Sequence, residues 1–418
     1  MTPQPVTFLA IGSRGDVEPM AVLAGVLVAQ GRPATVIAVD DYAALVRSHG
    51  AAFRGIGPAM DEVARLGGSW LGRLAYRTPL AQPVLLGRWL AGLAAPLASA
   101  LDEVAAGSLV VTGVASRDAA LALVEDRGCR MATVLHTAIL PTLSPASQLE
   151  GYRLWGPRWA RRRFVDWYWH TVQGLSRNTG RVFRRRAGLR RYRASGLAAA
   201  ADRFPIWLAA DPVLIPPASD WPATCVQTGA IRPASAEWTP SEPLRSFLDV
   251  GEPPVYVGLG SFNDAGGVRW LELLGKAARL AGRRIVAPVV PGGPLGVVDE
   301  WLCTVGAVPH DALLPLLAGS VHHGGAGTTA AALRAGVPSV CVPAAFDQPY
   351  HGRRLAELGV GPEAVPLHRI TPERLAELLT AVAGDSYRAR ASEVARIARG
   401  VDGTAATIAE LDRLLTAG

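Results

Sequence analysis

The 418-residue chain carries 42 Lys and Arg against 35 Asp and Glu, for a formal net charge of +7, and half of its residues are hydrophobic. Such a length exceeds one ordinary α/β domain and supplies two cores, so two domains are expected. A membrane span is excluded, because Gln82, Pro83, Arg88 and Pro96 interrupt the most apolar stretch, Leu80–Leu101, which reads instead as buried helical structure.

The positive charge is concentrated. Residues 151–193 hold thirteen arginines and a single acid, Asp166. No nucleic-acid recognition module accompanies them. Trp155, Trp159, Trp167 and Trp169 interleave with the arginines. That pattern suits an amphipathic helix against a membrane surface or a lipophilic ligand. The preferred reading is a set of solvated helices on the first domain.

In chain order, the first strand is Val6–Ile11, with no charged-then-apolar signal segment before it. The loop after it, GSRGDVEP (12–19), is not GxGxxG and gives poor support to a nicotinamide cofactor. Asp16 stands where a helix starts, a position for an N-cap or, in a cleft, for a general base. Ala34–Val39, Leu109–Thr112, Met131–His136 and Pro205–Ala209 read as further buried strands with helices between them, the pattern of a parallel sheet. Asp118 reads as a helix cap. His136 ends a strand and is a candidate for the cleft. Residues 211–253 are rich in proline and read as a linker. Alternation then restarts, with strands at Pro254–Leu259, Arg284–Val290, Ser320–His322 and Ser339–Val342. Thr371-Pro372 opens a helix, and a last helix covers roughly Thr404–Leu415. Cys129, Cys225, Cys303 and Cys341 are single and widely separated, which fits a reducing cytoplasm and neither a metal cluster nor a disulfide framework.

The most informative stretch is 319–349, GSVHHGGAGTTAAALRAGVPSVCVPAAFDQP. A strand end, two histidines and a glycine-rich turn lead into a helix of roughly Thr328 to Arg334, stopped at Gly336. Unpaired N–H groups at a helix N-terminus attract phosphate. Gly324, Gly325 and Gly327 allow close backbone approach, and Thr328 and Thr329 add hydroxyl donors. Asp347 and Gln348 then stand ready to bond hydroxyls on whatever the phosphate carries. Two open α/β domains place a cleft between their facing strand ends.

HHGGAGTT with DQP at this spacing resembles the donor-binding segment of the inverting glycosyltransferases of family one, the bacterial antibiotic and sterol group related to the plant and animal UDP-glycosyltransferases. VPHDALLP (308–315), LGVG (358–361) and GSRGDVEP are similar to the same family. The resemblance implies the GT-B fold: two Rossmann-like parallel-sheet α/β domains facing across a cleft, with the C-terminal helix crossing back to the N-terminal domain. The expected division is an acceptor-binding domain over 1–213, a linker over 214–250, a nucleotide-sugar-binding domain over 251–395 and the returning helix over 396–418.

By the same resemblance Asp16 is the catalytic base, where the plant enzymes carry a nearby histidine that this chain lacks. The donor is held by Ser261, Val308, His310, His323, Gly325, Gly327, Thr328, Asp347 and Gln348. Val308 and His310 act through backbone groups, and His322 is the buried neighbour of His323. The acceptor side is assigned to Ser13, Trp70, His136 and Trp155, within variable segments 67–100 and 137–195 that also hold Trp89, Trp159, Trp167 and Trp169. The implied reaction moves a sugar from a UDP or dTDP donor to a hydrophobic polyketide or aromatic aglycone, with inversion and with neither metal nor cofactor. The partners are those two small molecules, with no nucleic acid, and membrane contact is the less favoured option. Competing readings are a lipid or sterol glycosyltransferase at a membrane surface, a nucleotide-sugar 2-epimerase, and a non-catalytic binding protein of the same fold.

Overall fold

The computed structural model describes residues 4–57, 82–152, 156–233, 238–260 and 262–416. In the first half, seven strands form one sheet: β1 (Val6–Leu9), β2 (Ala34–Ala38), β3 (Ala52–Gly55), β4 (Leu109–Thr112), β5 (Arg130–Leu135), β6 (Ile206–Leu208) and β7 (Cys225–Gln227). Their order is β3-β2-β1-β4-β5-β6-β7, and every pairing is parallel. Helices α1 (Arg14–Ala29), α2 (Ala43–Ser48), α3 (Gln82–Leu101), α4 (Arg117–Arg127), α5 (Arg158–Arg186) and α6 (Ala194–Ala201) lie between the strands.

A strand buried on both faces sends alternate side chains to opposite sides. Phe8, Val36 and Val111 accordingly pack on Val17, Met20 and Leu27 of α1. Leu9, Ile37 and Val110 pack the other way, on Leu90 and Leu97 of α3, Leu123 of α4 and Phe183 of α5.

The second half repeats the plan with β8 (Val255–Gly258), β9 (Ile285–Pro288), β10 (Gly296–Val297), β11 (Leu302–Val305), β12 (Gly319–His322) and β13 (Ser339–Cys341). The order is β10-β11-β9-β8-β12-β13, parallel except for β10 against β11. Its helices are α7 (Glu242–Leu248), α8 (Phe262–Ala281, kinked at Gly267), α9 (His310–Leu313), α10 (Ala326–Ala335), α11 (Gln348–Glu357), α12 (Pro372–Ala383) and α13 (Arg388–Arg399). Val255, Val257, Val321 and Val340 face Leu274 of α8 and Leu375 and Leu379 of α12. Tyr256 and Val286 face Leu244 and Phe247 of α7 and Ala332 of α10.

The last helix, α14 (Gly403–Thr416), returns to the first sheet. Its Ile408 and Leu411 join the core beneath Phe8 and Val36. Arg130 on β5 donates to the carbonyls of Leu414 and Leu415 at 2.8 and 2.9 Å, holding the final turn from which helix carbonyls would otherwise project unpaired.

The halves also share a core, in which Leu135, Leu208 and Ile215 meet Leu333, Tyr350, Leu355 and Val394. Within this seam Arg334 of α10 donates to Asp211 Oδ2 at 2.9 Å, and both side chains are almost fully buried. The other oxygen of Asp211 accepts from Ala230 N–H at 3.0 Å, and Arg334 Nη2 reaches Val401 O at 2.6 Å. One buried pair therefore ties the end of the first sheet, helix α10 and the approach to α14.

The proline-rich stretch expected as linker contains β7 and α7. β7 is a three-residue edge strand with Val226 partly exposed, too short and too wet to leave a hydrophobic pattern. β3, β10 and β11 were likewise not expected. The last two form a small hairpin, and β3 alternates exposed and half-buried residues at the sheet edge.

Candidate active site

Among the parallel strands of each sheet the order reverses once, between β1 and β4 and between β8 and β12. Ligands of open α/β sheets bind in the crevice beyond the carboxyl ends of the strands at that point. The loop after β1 is Gly12-Ser13, and the turn after β12 is His323-Gly324-Gly325. Each half thus delivers its most distinctive motif to its own switch point.

Asp16 is the third residue of α1 and Ser13 its N-cap. The carboxylate folds back so that Oδ2 accepts from Ser13 N–H at 2.7 Å and from Ser13 Oγ–H at 2.9 Å. Oδ1 has no partner among the described residues. Gly12, at φ +158°, permits the fold-back: a Cβ there would lie 2.2 Å from Asp16 Oδ2. Asp16 is therefore both a helix-capping carboxylate and a half-exposed oxygen at the strand end. Asp118 is not the cap of its helix, which is Ser116. It is buried between α4 and α5, where Arg184 donates to its Oδ1 at 2.7 Å, and desolvation pushes its pKa up to about 6 against the pull of that arginine.

On the other side, Gly325 is the N-cap of α10, so the N–H groups of Ala326, Gly327 and Thr328 have no acceptor inside the helix. The imidazole of His323 lies against two glycines. A Cβ on Gly325 would sit 2.3 Å from its Nε2, and one on Gly260 3.0 Å from Nε2. Burial lowers the His323 pKa to about 4, so the ring is neutral near pH 7, and its buried Nδ1 has no partner among the described residues. His322 is fully buried, as expected; its Nδ1 accepts from Gly324 N–H at 3.1 Å. Thr329 corrects the reading of two hydroxyl donors. It is buried and spends its hydroxyl on Gly325 O at 2.9 Å, which leaves Thr328 as the half-exposed one.

The loop after β13 ends at Asp347, the N-cap of α11. The chain reaches it through Phe346 at φ 59°, a left-handed conformation that costs a bulky residue roughly 1–3 kcal/mol. Gln348 holds this loop: its Oε1 accepts from Ala344 N–H at 2.8 Å and from Ala345 N–H at 3.3 Å. Among the described residues its amide NH2 has no partner. The Asp347 pKa is raised, first by burial and further by the charge of Asp16, while His351 opposes the rise. His351 is buried one turn into α11, with Nδ1 2.6 Å from Gly324 O and 3.6 Å from Asp347 Oδ2.

The two halves meet electrostatically. The Asp16 charge acts on Asp347 across the cleft and on His136, whose pKa is lowered by burial and partly restored by that carboxylate. His136 follows β5, and its buried Nε2 has no partner among the described residues. Beside it, Thr137 donates to Gln148, which donates to the Tyr168 hydroxyl at 3.3 Å. Burial raises the Tyr168 pKa, and the charge of Asp347 adds to it, so α5 also reaches the cleft. Further along, burial depresses the His310 pKa and Arg14 of α1 adds to the effect, while Glu18 opposes it. His310 Nε2 pairs with the Tyr256 hydroxyl at 2.9 Å. Its ring is therefore engaged, consistent with a loop that offers backbone groups; Val308 in that loop packs on the α7 side of the second core.

Ser13, Asp16, His136, Val308, His310, His323, Gly325, Gly327, Thr328, Asp347 and Gln348 thus all lie on loops or helix starts that follow the carboxyl ends of strands. Ser261, Trp70 and Trp155 lie outside the described residues. The tryptophans of the proposed acceptor wall divide. Trp89 belongs to the first core, and Trp169 is buried, donating to Asp202 Oδ2 at 3.2 Å. Trp159 and Trp167 stand on the solvent face of α5, 69% and 47% exposed. Sequence reading overlooked His351, Tyr168 and Tyr256. His351 falls four residues after Asp347, a helical spacing that places both on one face and was available as a signal.

Three comparisons bear on this arrangement. Residues 272–403 match the family model of the erythromycin biosynthesis protein CIII-like C-terminal domain. The chain is 30% identical over 439 aligned positions to the O-mycaminosyltylonolide 6-deoxyallosyltransferase of Streptomyces fradiae, covering 97% of each protein. It is 32% identical to the dTDP-epi-vancosaminyltransferase of Amycolatopsis orientalis, covering 93% of this chain and 92% of the relative. Among solved structures, the glycosyltransferase of kitacinnamycin superposes with a TM-score of 0.69 at 19% identity over 99% of this chain and all of the other. The fold is GT-B. The chain belongs to the family of bacterial antibiotic and natural-product glycosyltransferases and is itself a glycosyltransferase.

Proposed function

We propose that the chain transfers a sugar, with inversion and without a metal, from a nucleoside-diphosphate donor to a hydrophobic secondary-metabolite aglycone of polyketide or aromatic type, with Asp16 as general base. The observation that carries this reading is the start of α10, where the N–H groups of Ala326, Gly327 and Thr328 have no acceptor inside the helix and the His323 imidazole packs against Gly260 and Gly325. A base from one domain then faces a hydroxyl reader from the other, beside a helix N-terminus suited to phosphate.

The acceptor hydroxyl gives its proton to the Asp16 carboxylate as its oxygen attacks the anomeric carbon. The bond from that carbon to the diphosphate oxygen breaks on the opposite face, so configuration inverts. Charge grows on the leaving diphosphate, where the N–H groups of Ala326, Gly327 and Thr328 and neutral His323 stabilise it. Gly327 supports this assignment. It is the second residue of α10, and a Cβ there would meet no protein atom within 4 Å, so the turn is open to the diphosphate. Asp347 and the free amide of Gln348 read sugar hydroxyls, and His136 and Tyr168 border the acceptor side.

The names of relatives favour dTDP as the first donor to try: one transfers from a dTDP-sugar, and the similar structure of VinC holds dTDP. UDP remains the alternative. The test is binding and hydrolysis of UDP- and dTDP-sugars in EDTA by the wild type and His323→Ala. Binding that persists in EDTA and weakens at least tenfold in the variant supports the site; loss of all donor binding in EDTA refutes metal independence.

A second reading, a lipid or sterol acceptor met at a membrane surface, draws on the exposed Trp159 and Trp167 beside the arginines of α5. Vesicle sedimentation with anionic lipid tests it, and failure to bind at low salt removes it.

A further inference from the structure

Gly324 is held through both of its backbone polar groups. Its N–H can only donate, so His322 Nδ1, 3.1 Å away, is the acceptor and the proton of that ring is on Nε2. Its C=O can only accept, so His351 Nδ1, 2.6 Å away, carries the hydrogen. Two fully buried imidazoles, one accepting and the other donating through Nδ1, thus clamp one glycine. Gly324 sits at φ +88°, and a Cβ on it would press to 3.0 Å of Gln348 O and 3.1 Å of Cys341 Sγ. The peptide therefore packs directly on the start of α11. It also immediately precedes Gly325, the residue that aims the first turn of α10.

The same Nδ1–H of His351 lies 3.6 Å from Asp347 Oδ2. We propose that His351 is a positioning residue that sets the phosphate-binding turn and the sugar-reading carboxylate in register, so that the diphosphate and sugar subsites of the donor are energetically coupled through one imidazole N–H. This rests on the donor site proposed above. The physical reason is rigidity: a turn free to rotate about Gly324 would misdirect the Ala326–Thr328 N–H groups, and pre-organised donors are what make such a site effective. Sequence spacing alone does not reveal it, because the link to Gly324 crosses 27 residues.

Three variants separate this role from simple packing. His351→Asn keeps an N–H donor near the position of Nδ1. His351→Gln carries its amide farther out, near Nε2, and His351→Leu removes the donor. Calorimetric binding of dTDP and UDP, and of the matching nucleotide sugars, is measured on the full chain, with thermal unfolding alongside. The Asn variant is expected to stay within about threefold of wild type for the free nucleotide, while Gln and Leu weaken it about tenfold, the loss of one hydrogen bond. A cycle with Asp347→Asn then reads the coupling. The extra affinity that the sugar contributes is expected to fall in both single variants and to fall less than additively in the double.

Equal affinities for the Asn and Gln variants, or strict additivity, overturn the inference. Should Leu fail to fold, the Asn–Gln comparison still decides, since both are polar and similar in bulk. A wild type that binds no nucleotide overturns the donor site itself and this inference with it; binding that is intact in every variant overturns the inference alone.

Discussion

Replacing Asp16 by Asn separates the two tasks that one carboxylate performs. The capping task depends on an oxygen that accepts from Ser13 N–H at 2.7 Å and Ser13 Oγ–H at 2.9 Å. An amide oxygen occupies the same place, so the geometry survives. What is lost is the charge: its share of the two hydrogen bonds and its interaction with the helix N-terminus. Together these are worth about 1 kcal/mol, within the usual range for a cap. The catalytic task depends on accepting a proton, which an amide cannot do, and loss of a general base lowers turnover by roughly 10²–10⁴-fold. Asp16→Asn should therefore unfold within a few degrees of wild type and bind the nucleotide sugar normally, yet turn over at no more than about 1% of the wild-type rate. Initial rates under saturating donor and a productive aglycone, with calorimetric unfolding and donor titration on the same preparations, measure all three. A kcat within threefold of wild type would falsify the assignment of Asp16 as base. A loss of several kcal/mol of stability would show that the cap reasoning is wrong. Gly12→Ala provides a second route to the same point, since its methyl would collide with Asp16 Oδ2 at 2.2 Å. It should lower kcat through displacement of the carboxylate while leaving its chemistry intact, on the order of 10²-fold for a shift near 1 Å.

Other predictions concern the remaining charges. His323 is neutral above about pH 5, because burial holds its pKa at about 4; donor affinity should stay flat from pH 6 to 8, and a His323-dependent break in that range would refute the neutral-donor role. Arg334→Met leaves Asp211 buried without its cation and should cost about 3–5 kcal/mol, while the double variant with Asp211→Asn should recover part of that loss; urea unfolding of the three proteins decides it. Asp118 has a folded pKa raised to about 6 above its unfolded value, so the folded state holds the extra proton between roughly pH 4 and 6. Its contribution to stability is present at the acid end of that window and lost as pH rises through it, and Asp118→Asn should flatten that part of the stability profile by roughly 1–3 kcal/mol. An unchanged slope would mean the Arg184 pair keeps Asp118 ionised throughout.

Parts whose physics is local could be read from the amino-acid order alone. Nine strands were legible because parallel, doubly covered strands are continuous apolar runs. The glycine-rich turn before α10 was legible because glycines, histidines and a helix start occur together within eight residues, and the Asp347-Gln348 pair and Asp16 were legible as polar residues at strand ends. Elements whose stability comes from elsewhere were not legible. β7 is an exposed edge strand that exists because β6 pairs with it, and β3 alternates too weakly to stand out.

Only the tertiary structure decided what each side chain does with its partners. Four tryptophans of similar appearance went two to the core and two to solvent, according to which face of their helices met the sheet. Asp118 and Asp16, both acids in the first turn of a helix, separated into a buried ion pair and an oxygen open to the cleft. Thr328 and Thr329, adjacent in the chain, separated into a half-exposed hydroxyl and a buried one bonded to Gly325. His351 gained its neighbours from a turn 27 residues away. A residue's type and spacing set its chemistry, but its partners depend on contacts between distant segments, and those come into being only when the two sheets and the helices between them pack.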